Sequence, residues 1–145
     1  MLLIFLMKIN FVVVGKLKQE FVDCVLDYEK RLHKYCNFKI FHIKEKSNLN
    51  QEADLIVPKL KGFIVVLAQE GKQFSSASLA ELIKGKDEMT FVIGSHLGLS
   101  YKIKAKANLL LSFSKMTLPH QIARLVLTEQ VYRAFSILNN RKYHK

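Results

Sequence analysis

Five short apolar runs punctuate the chain, and amphipathic or polar segments separate them. Met7 to Val14 is rich in β-branched residues and stops at Gly15, the pattern of a strand buried on both faces. From Leu17 to Tyr35 the apolar positions Leu17, Phe21, Cys24, Val25, Tyr28 and Leu32 recur at three- and four-residue steps, which predicts a helix with one core face. Its opposite face carries Lys18, Glu20, Asp27, Lys30, Arg31 and Lys34. Phe38 to Ile43 reads as a second, short strand. Lys44 to Asn50 is polar and turn-like, and Gln51 to Leu60 holds at most a short helix before Pro58. Gly62 to Ala68 forms a third buried strand, which the turn Gln69 to Lys72 leaves. Ser75 or Ser76 caps the next helix, ending near Lys84. Met89 to Ile93 is a fourth strand, followed by the loop Gly94 to Leu99, a brief helix over Ser100 to Lys106, and a fifth strand from Asn108 to Phe113.

The segment after the fifth strand carries the strongest helical signal. Pro119 suits a first helical turn, where its missing N–H costs nothing, and Thr117 is the expected cap. Ile122, Ala123, Val126, Leu127, Val131, Ala134, Ile137 and Leu138 cover about half of the helical wheel and are expected to face the sheet. Leu125, Tyr132 and Phe135 form a second apolar strip, mixed with Arg124, Thr128, Glu129 and Arg133. An aromatic strip with arginines on the far side of a core helix predicts contact with a second copy, hence a homodimer.

Strands alternating with helices give an α/β fold with a mostly parallel sheet flanked by helices. In such sheets ligands sit beyond the carboxyl ends of the strands, which selects three loops: Ala68 to Phe74, Gly94 to Ser100, and Ser114 to Pro119. A chain of 145 residues, half of them apolar, supports one core and one domain over residues 1–145. Met7 would itself begin a sensible protein, so Met1 to Leu6 reads as an N-terminal extension. The apolar opening lacks a basic leader and a cleavage pattern, and Lys8 and Asn10 interrupt it well short of a membrane-spanning length.

Charge narrows the partners. The formal net charge of +11 is spread along the sequence, which favours structured RNA or another polyanion. Cys24 and Cys36 form neither a C-x-x-C pair nor a disulfide framework, consistent with a reduced, cytoplasmic setting. His33, His42, His96, His120 and His144 show no metal-ligand spacing, and no metal is expected. His120, beside the third loop, and His144, in the tail, have the best positions for chemistry. Gly94 to Gly98 matches neither phosphate-binding glycine motif but can bring backbone amides close to a ligand. Ser112 and Ser114 lack a nucleophile elbow and are expected to satisfy loop backbone groups. Tyr143, His144 and Lys145 combine an aromatic ring, an imidazole and a cation, which can stack on a base, hydrogen-bond it and contact a phosphate.

The run SFSKMTLPHQIARLVLTEQVYRAF with its following YHK, the loop VIGSHLGLS, and the opening MKINFVVVGKLK with its following YEKRL resemble the RlmH family of SPOUT-class methyltransferases. The resemblance covers nearly the whole chain from Met7. It implies methylation of N3 of a pseudouridine in large-subunit ribosomal RNA, on the assembled ribosome, with S-adenosylmethionine as cofactor. It also implies a homodimer and a C-terminal trefoil knot, a rare exception to un-knotted topology. Carried over by position, Leu67, Gly94, Phe113, Ser114, Lys115, Met116, Thr117 and Leu118 would contact the cofactor. His144 and Tyr143 would serve catalysis, with Arg124, Glu129 and Arg133 ordering the site. The family's glycine-rich second loop reads Gly94-Ser95-His96-Leu97-Gly98 here, which Ser95 tolerates only if its φ is negative. The alternatives are a non-catalytic basic RNA-binding module and a different α/β nucleotide enzyme.

Overall fold

The computed structural model describes residues 7–145, so the extension Met1 to Leu6 lies outside the described residues. Five strands, β1 (Lys8–Val14), β2 (Asn37–Ile43), β3 (Phe63–Gln73), β4 (Glu88–Ile93) and β5 (Leu109–Ser112), form one sheet in the order β2-β1-β4-β3-β5. Every pairing is parallel. The helices are α1 (Gln19–Leu32), α2 (Leu49–Ile56), α3 (Ser76–Ile83), α4 (Tyr101–Lys104) and α5 (His120–Leu138), with a 3-10 turn at Val57–Lys59.

Alternation along the strands divides the core into two layers. Ile9, Phe11 and Val13 of β1, with Met89, Phe91 and Ile93 of β4, pack under α1, α3 and α5. Phe11 meets Phe38 and Phe91 edge-on at centroid distances of 4.9 and 5.7 Å. On the other face Val12, Val14, Val66 and Val92 pack under α2 and α4. The continuous apolar runs are therefore those of a parallel sheet covered on both sides. Among the described residues no helix is long and apolar enough to cross a membrane.

Three expectations change. β3 does not turn at Gln69 to Lys72 but continues to Gln73, with a shift in register, because Leu67 and Lys72 both align with Leu111 of β5. A Cβ on Gly71 would lie 2.5 Å from the Leu110 carbonyl oxygen, so only glycine allows the two backbones this close. Thr117 does not cap α5: its hydroxyl donates to Gln69 Oε1 at 2.9 Å, and no side chain caps the helix. Phe135 leaves the proposed outer strip. It is fully buried and stacks on Tyr35 at 5.9 Å, because α5 is wedged between α1 and α3 and so buries more than one face. Arg124 and Thr128 are buried for the same reason, while Ile122, Ala123 and Val126 are only half-buried.

Candidate active site

The carboxyl ends of β3, β4 and β5 open on a cleft of about 150 Å³. The three loops selected from the sequence all contribute to it. Leu67, Gly94, Phe113, Ser114, Met116, Thr117 and Leu118 line it, whereas Lys115 is exposed and does not. The Lys115 carbonyl instead accepts a 2.9 Å bond from Gln69 Nε2. Gln69 thus grips the third loop at two points, Lys115 and Thr117. Sequence reading placed Gln69 in a turn and missed it, since its partners lie more than forty residues away.

The serines behave as structural groups. Ser112 donates to the Ser114 carbonyl at 2.9 Å, and the Ser114 hydroxyl accepts from the Met116 amide at 2.9 Å. Ser95 keeps a negative φ, since Asn140 is the one non-glycine residue with positive φ among the described residues. The Gly98 amide bonds the Ser95 carbonyl at 2.8 Å, and Gly98 takes the left-handed φ of 83° that closes the turn. Gly94 has no room for a side chain: a Cβ there would sit 2.5 Å from the Gly98 carbonyl oxygen.

His120 lines the same cleft. Burial lowers its pKa below the ordinary 6.5; His96 and Lys18 push it the same way, against the opposing pull of Glu45. Its Nε2 lies 2.9 Å from Gln121 Nε2, an amide that can only donate, so Nε2 is the acceptor and carries no proton. Gln121 also fastens the start of α5 to the loop after β1, donating to the Lys16 carbonyl at 2.8 Å and accepting from the Lys18 amide at 2.8 Å. His96 does not line the cleft and pairs through Nδ1 with Glu45 at 2.9 Å.

A second cluster forms where the tail folds back on α5. Arg133 donates to Glu129 Oε1 through Nε at 2.8 Å, and the Tyr143 hydroxyl donates to the same oxygen at 3.2 Å. Tyr28 of α1 lies 3.0 Å from the Tyr143 hydroxyl, and the Arg133 guanidinium sits over the Tyr143 ring at 4.8 Å. Burial, followed by the bond to Tyr28 and the Glu129 charge, raises the Tyr143 pKa, so its hydroxyl remains a donor at neutral pH. Arg133 NH1 approaches His144 Nδ1 at 3.0 Å. A guanidinium only donates, so that nitrogen accepts and a neutral His144 ring presents Nε2–H outward. Tyr28 escaped the sequence reading because 115 positions separate it from Tyr143.

The candidate residues fall in separate places within one chain. Glu129 and Arg133 lie 9 and 13 residues beyond His120 on one helix, about 14 to 20 Å along its axis at ~1.5 Å per residue. The tail cluster and the cleft are therefore separate within one chain. Arg124 joins neither: it is buried in an ion pair with Glu29 of α1 at 3.0 Å.

A family model described as "Predicted SPOUT methyltransferase" matches residues 7–144, which takes in both the cleft and the tail. The chain belongs to the SPOUT methyltransferases. Among relatives, the proteins named ribosomal RNA large subunit methyltransferase H of Streptococcus pyogenes serotype M49 (strain NZ131) and serotype M3 (strain ATCC BAA-595 / MGAS315) are each 42% identical. Each alignment covers 96% of this chain and 100% of the relative. The solved structure of a probable methylase family protein from Haemophilus influenzae Rd KW20 shares the fold, with a TM-score of 0.58 at 14% identity over 97% of this chain and 71% of that one. For a SPOUT methyltransferase, a cleft at the carboxyl ends of the strands is where the parallel sheet leaves loops free to hold a ligand.

Proposed function

We propose that this chain methylates N3 of a pseudouridine in large-subunit ribosomal RNA, using S-adenosylmethionine and acting as a cytoplasmic homodimer on the assembled ribosome. The observation that carries the reading is the end-to-end 42% identity to relatives named for methylation of the large ribosomal subunit's RNA. The net charge of +11 supports an RNA substrate independently.

The cleft suits the cofactor chemically. Leu67, Leu111 and Leu118 offer apolar walls for an adenine ring, while the Gly94 to Gly98 and Phe113 to Leu118 loops offer backbone groups. No acidic or permanently charged side chain lines it, and His120 is held neutral, so nothing there repels a sulfonium. When bound, S-adenosylmethionine supplies an electrophilic methyl carbon, and most of the rate then comes from aligning the target nitrogen with it. In this reading the clasp of Gln69 on Lys115 and Thr117 fixes the C-terminal loop of the trefoil knot.

The N3 imide proton must pass to solvent water as the methyl group arrives. His144 Nε2–H and Lys145 can stabilise the developing imide anion at the base's carbonyl oxygens, and Tyr143 and Arg133 hold the tail in place. Because the tail lies far from its own cleft, the tail of one subunit would complete the cleft of the other. Labelled S-adenosylmethionine incubated with ribosomes lacking the modification tests the reading directly. Methyl transfer to the RNA is expected, and a folded protein that transfers none would refute it.

Two effects on cofactor binding follow. Gly94→Ala forces the second loop away from the Gly98 carbonyl, so calorimetry should find affinity for S-adenosylmethionine at least about tenfold weaker, ~1.4 kcal/mol or more. Protonating His120 sets a cation against the sulfonium. As pH falls below 6.5, affinity for S-adenosylmethionine should drop several-fold, and more than affinity for S-adenosylhomocysteine, whose sulfur is neutral. The depressed pKa also means that the folded state binds fewer protons than the unfolded chain in this window, so stability falls in the same direction.

A further inference from the structure

Among the described residues, one half-face of the sheet carries no helix. On the layer formed by α2 and α4, apolar packing covers Val12 and Val14 of β1, Ile43 of β2, Val66 of β3 and Val92 of β4. Toward the amino ends of the strands the same face becomes polar, with Lys8 and Asn10 on β1, Asn37 and Lys39 on β2, and Glu88 and Thr90 on β4. These positions are adjacent in register, Lys8 with Asn37 and Glu88, Asn10 with Lys39 and Thr90. Polar residues on β1, flanked on both sides by strands, break the apolar rule of a covered parallel sheet, and Lys8, Asn37 and Lys39 are exposed there.

The surface is concave and pre-organised. Lys8, Asn10, Asn37, Lys39, Lys61 and Glu88 line a cavity of about 130 Å³ that Phe41 closes at one end. Asn10 is buried and donates to Glu88 at 2.8 Å and to Thr90 at 3.3 Å. Thr90 donates to the Lys61 carbonyl at 2.6 Å and accepts from the Lys61 amide at 3.3 Å, which fixes Lys61 at the rim. Three lysines thus line the same cavity as a single carboxylate already engaged by an amide. None of the three is in an ion pair among the described residues. Beside them Lys59 sits 4.9 Å from the centroid of the half-buried Phe41 ring.

We propose that this pocket binds a backbone phosphate of the RNA substrate, with Lys8, Lys39 and Lys61 as its cationic walls. The inference rests on the RNA reading above and extends it to a second point of contact. Clustered lysines lining a concave surface are the chemistry of contact with a nucleic-acid phosphate backbone. The pocket lies at the opposite end of the strands from the cleft: Lys8 is five residues along β1 from Val13, which pairs with Ile93 at the cleft, about 17 Å at ~3.3 Å per residue. It would therefore grip RNA well away from the methylated base and fix the orientation of a structured substrate without reading its sequence.

The test is a triple variant, Lys8→Gln, Lys39→Gln and Lys61→Gln, set against an equal loss of charge at Lys30, Lys84 and Lys106, which are exposed elsewhere. Binding to unmodified large-subunit ribosomal RNA is measured across a salt series, with calorimetry of S-adenosylmethionine as the check on the fold. The pocket variant is expected to bind RNA at least about tenfold more weakly, with a salt slope shallower by about one. Its KM for RNA should rise while kcat and cofactor affinity hold. Equal effects from the control variant, or an unchanged slope in a pocket variant that still binds cofactor, would overturn the proposal. Inorganic phosphate separates a free-anion site: if it binds the wild type tightly and loses affinity in the pocket variant while RNA binding is unmoved, the RNA assignment is wrong. A wild type that binds RNA with this lysine-dependent slope yet transfers no methyl group would refute the proposed function and leave the pocket standing.

Discussion

Mixing two inactive variants of this chain is expected to restore methyl transfer. The first lacks Tyr143, His144 and Lys145; the second carries Gly94→Trp and so has no usable cleft. In one subunit the helix that joins the two groups holds them about 14 to 20 Å apart, too far for His144 to reach a base docked at its own cleft. Each variant alone should lose at least about a hundredfold in kcat, the range for removing a group that acts on the transition state. The tail-less variant should still bind S-adenosylmethionine, because Leu67, Gly94 and Phe113 to Leu118 are untouched. In an equal mixture half the dimers pair one variant with the other, and each of these has one complete site, so recovery should approach about a quarter of wild-type activity. Failure of complementation in a mixture shown to exchange subunits would place tail and cleft in the same chain, or remove the tail from the reaction.

Glu29→Ala is expected to be among the most destabilising single substitutions in α1. Glu29 and Arg124 are each under a tenth exposed, with side-chain values of 8% and 7%, and their 3.0 Å pair links α1 to α5. Removing the carboxylate leaves a buried guanidinium uncompensated, with Nε already lacking a partner. Breaking a buried pair this way costs about 3–5 kcal/mol, whereas replacing both partners with apolar residues is often close to neutral. Urea denaturation should therefore find Glu29→Ala severely destabilised and the double variant Glu29→Leu, Arg124→Met near wild type. The double variant also reports on Arg124. Near-normal methyl transfer is expected, since the pair holds two helices together; a folded but inactive double variant would return Arg124 to the chemistry.

Much of the fold was legible because hydrophobic periodicity records which faces are buried. The five strands and the helices between them fall where the runs and three- to four-residue steps put them, from Lys8–Val14 to His120–Leu138. Ser75 caps α3 as its position suggested, accepting from the Ser78 amide at 3.0 Å. Periodicity failed where burial has more than one source. Phe135 reads as an outer residue on a wheel with one buried stripe, but α5 contacts both α1 and α3, and that second contact covers the ring. The extension of β3 through Gln73 was hidden because Gln69, Glu70, Gly71 and Lys72 read as a turn. What holds them in the strand is the close approach of the Leu110 backbone to Gly71, a property of the partner strand.

By itself the sequence determined the α/β class, the three loops at the carboxyl ends of the strands, and, through resemblance, the SPOUT family. All of these depend on local pattern or on residues close together in the chain. Tertiary structure alone decided that Gln69 clasps the third loop, that Glu29 holds Arg124 away from the cleft, and that Tyr28 anchors the tail through Tyr143. It also decided that cleft and tail stand apart along α5, and that lysines from β1, β2 and the loop before β3 line one cavity on the sheet's polar half-face. The first three are contacts between residues tens of positions apart, and a hydrogen bond or ion pair leaves no periodic trace in either segment.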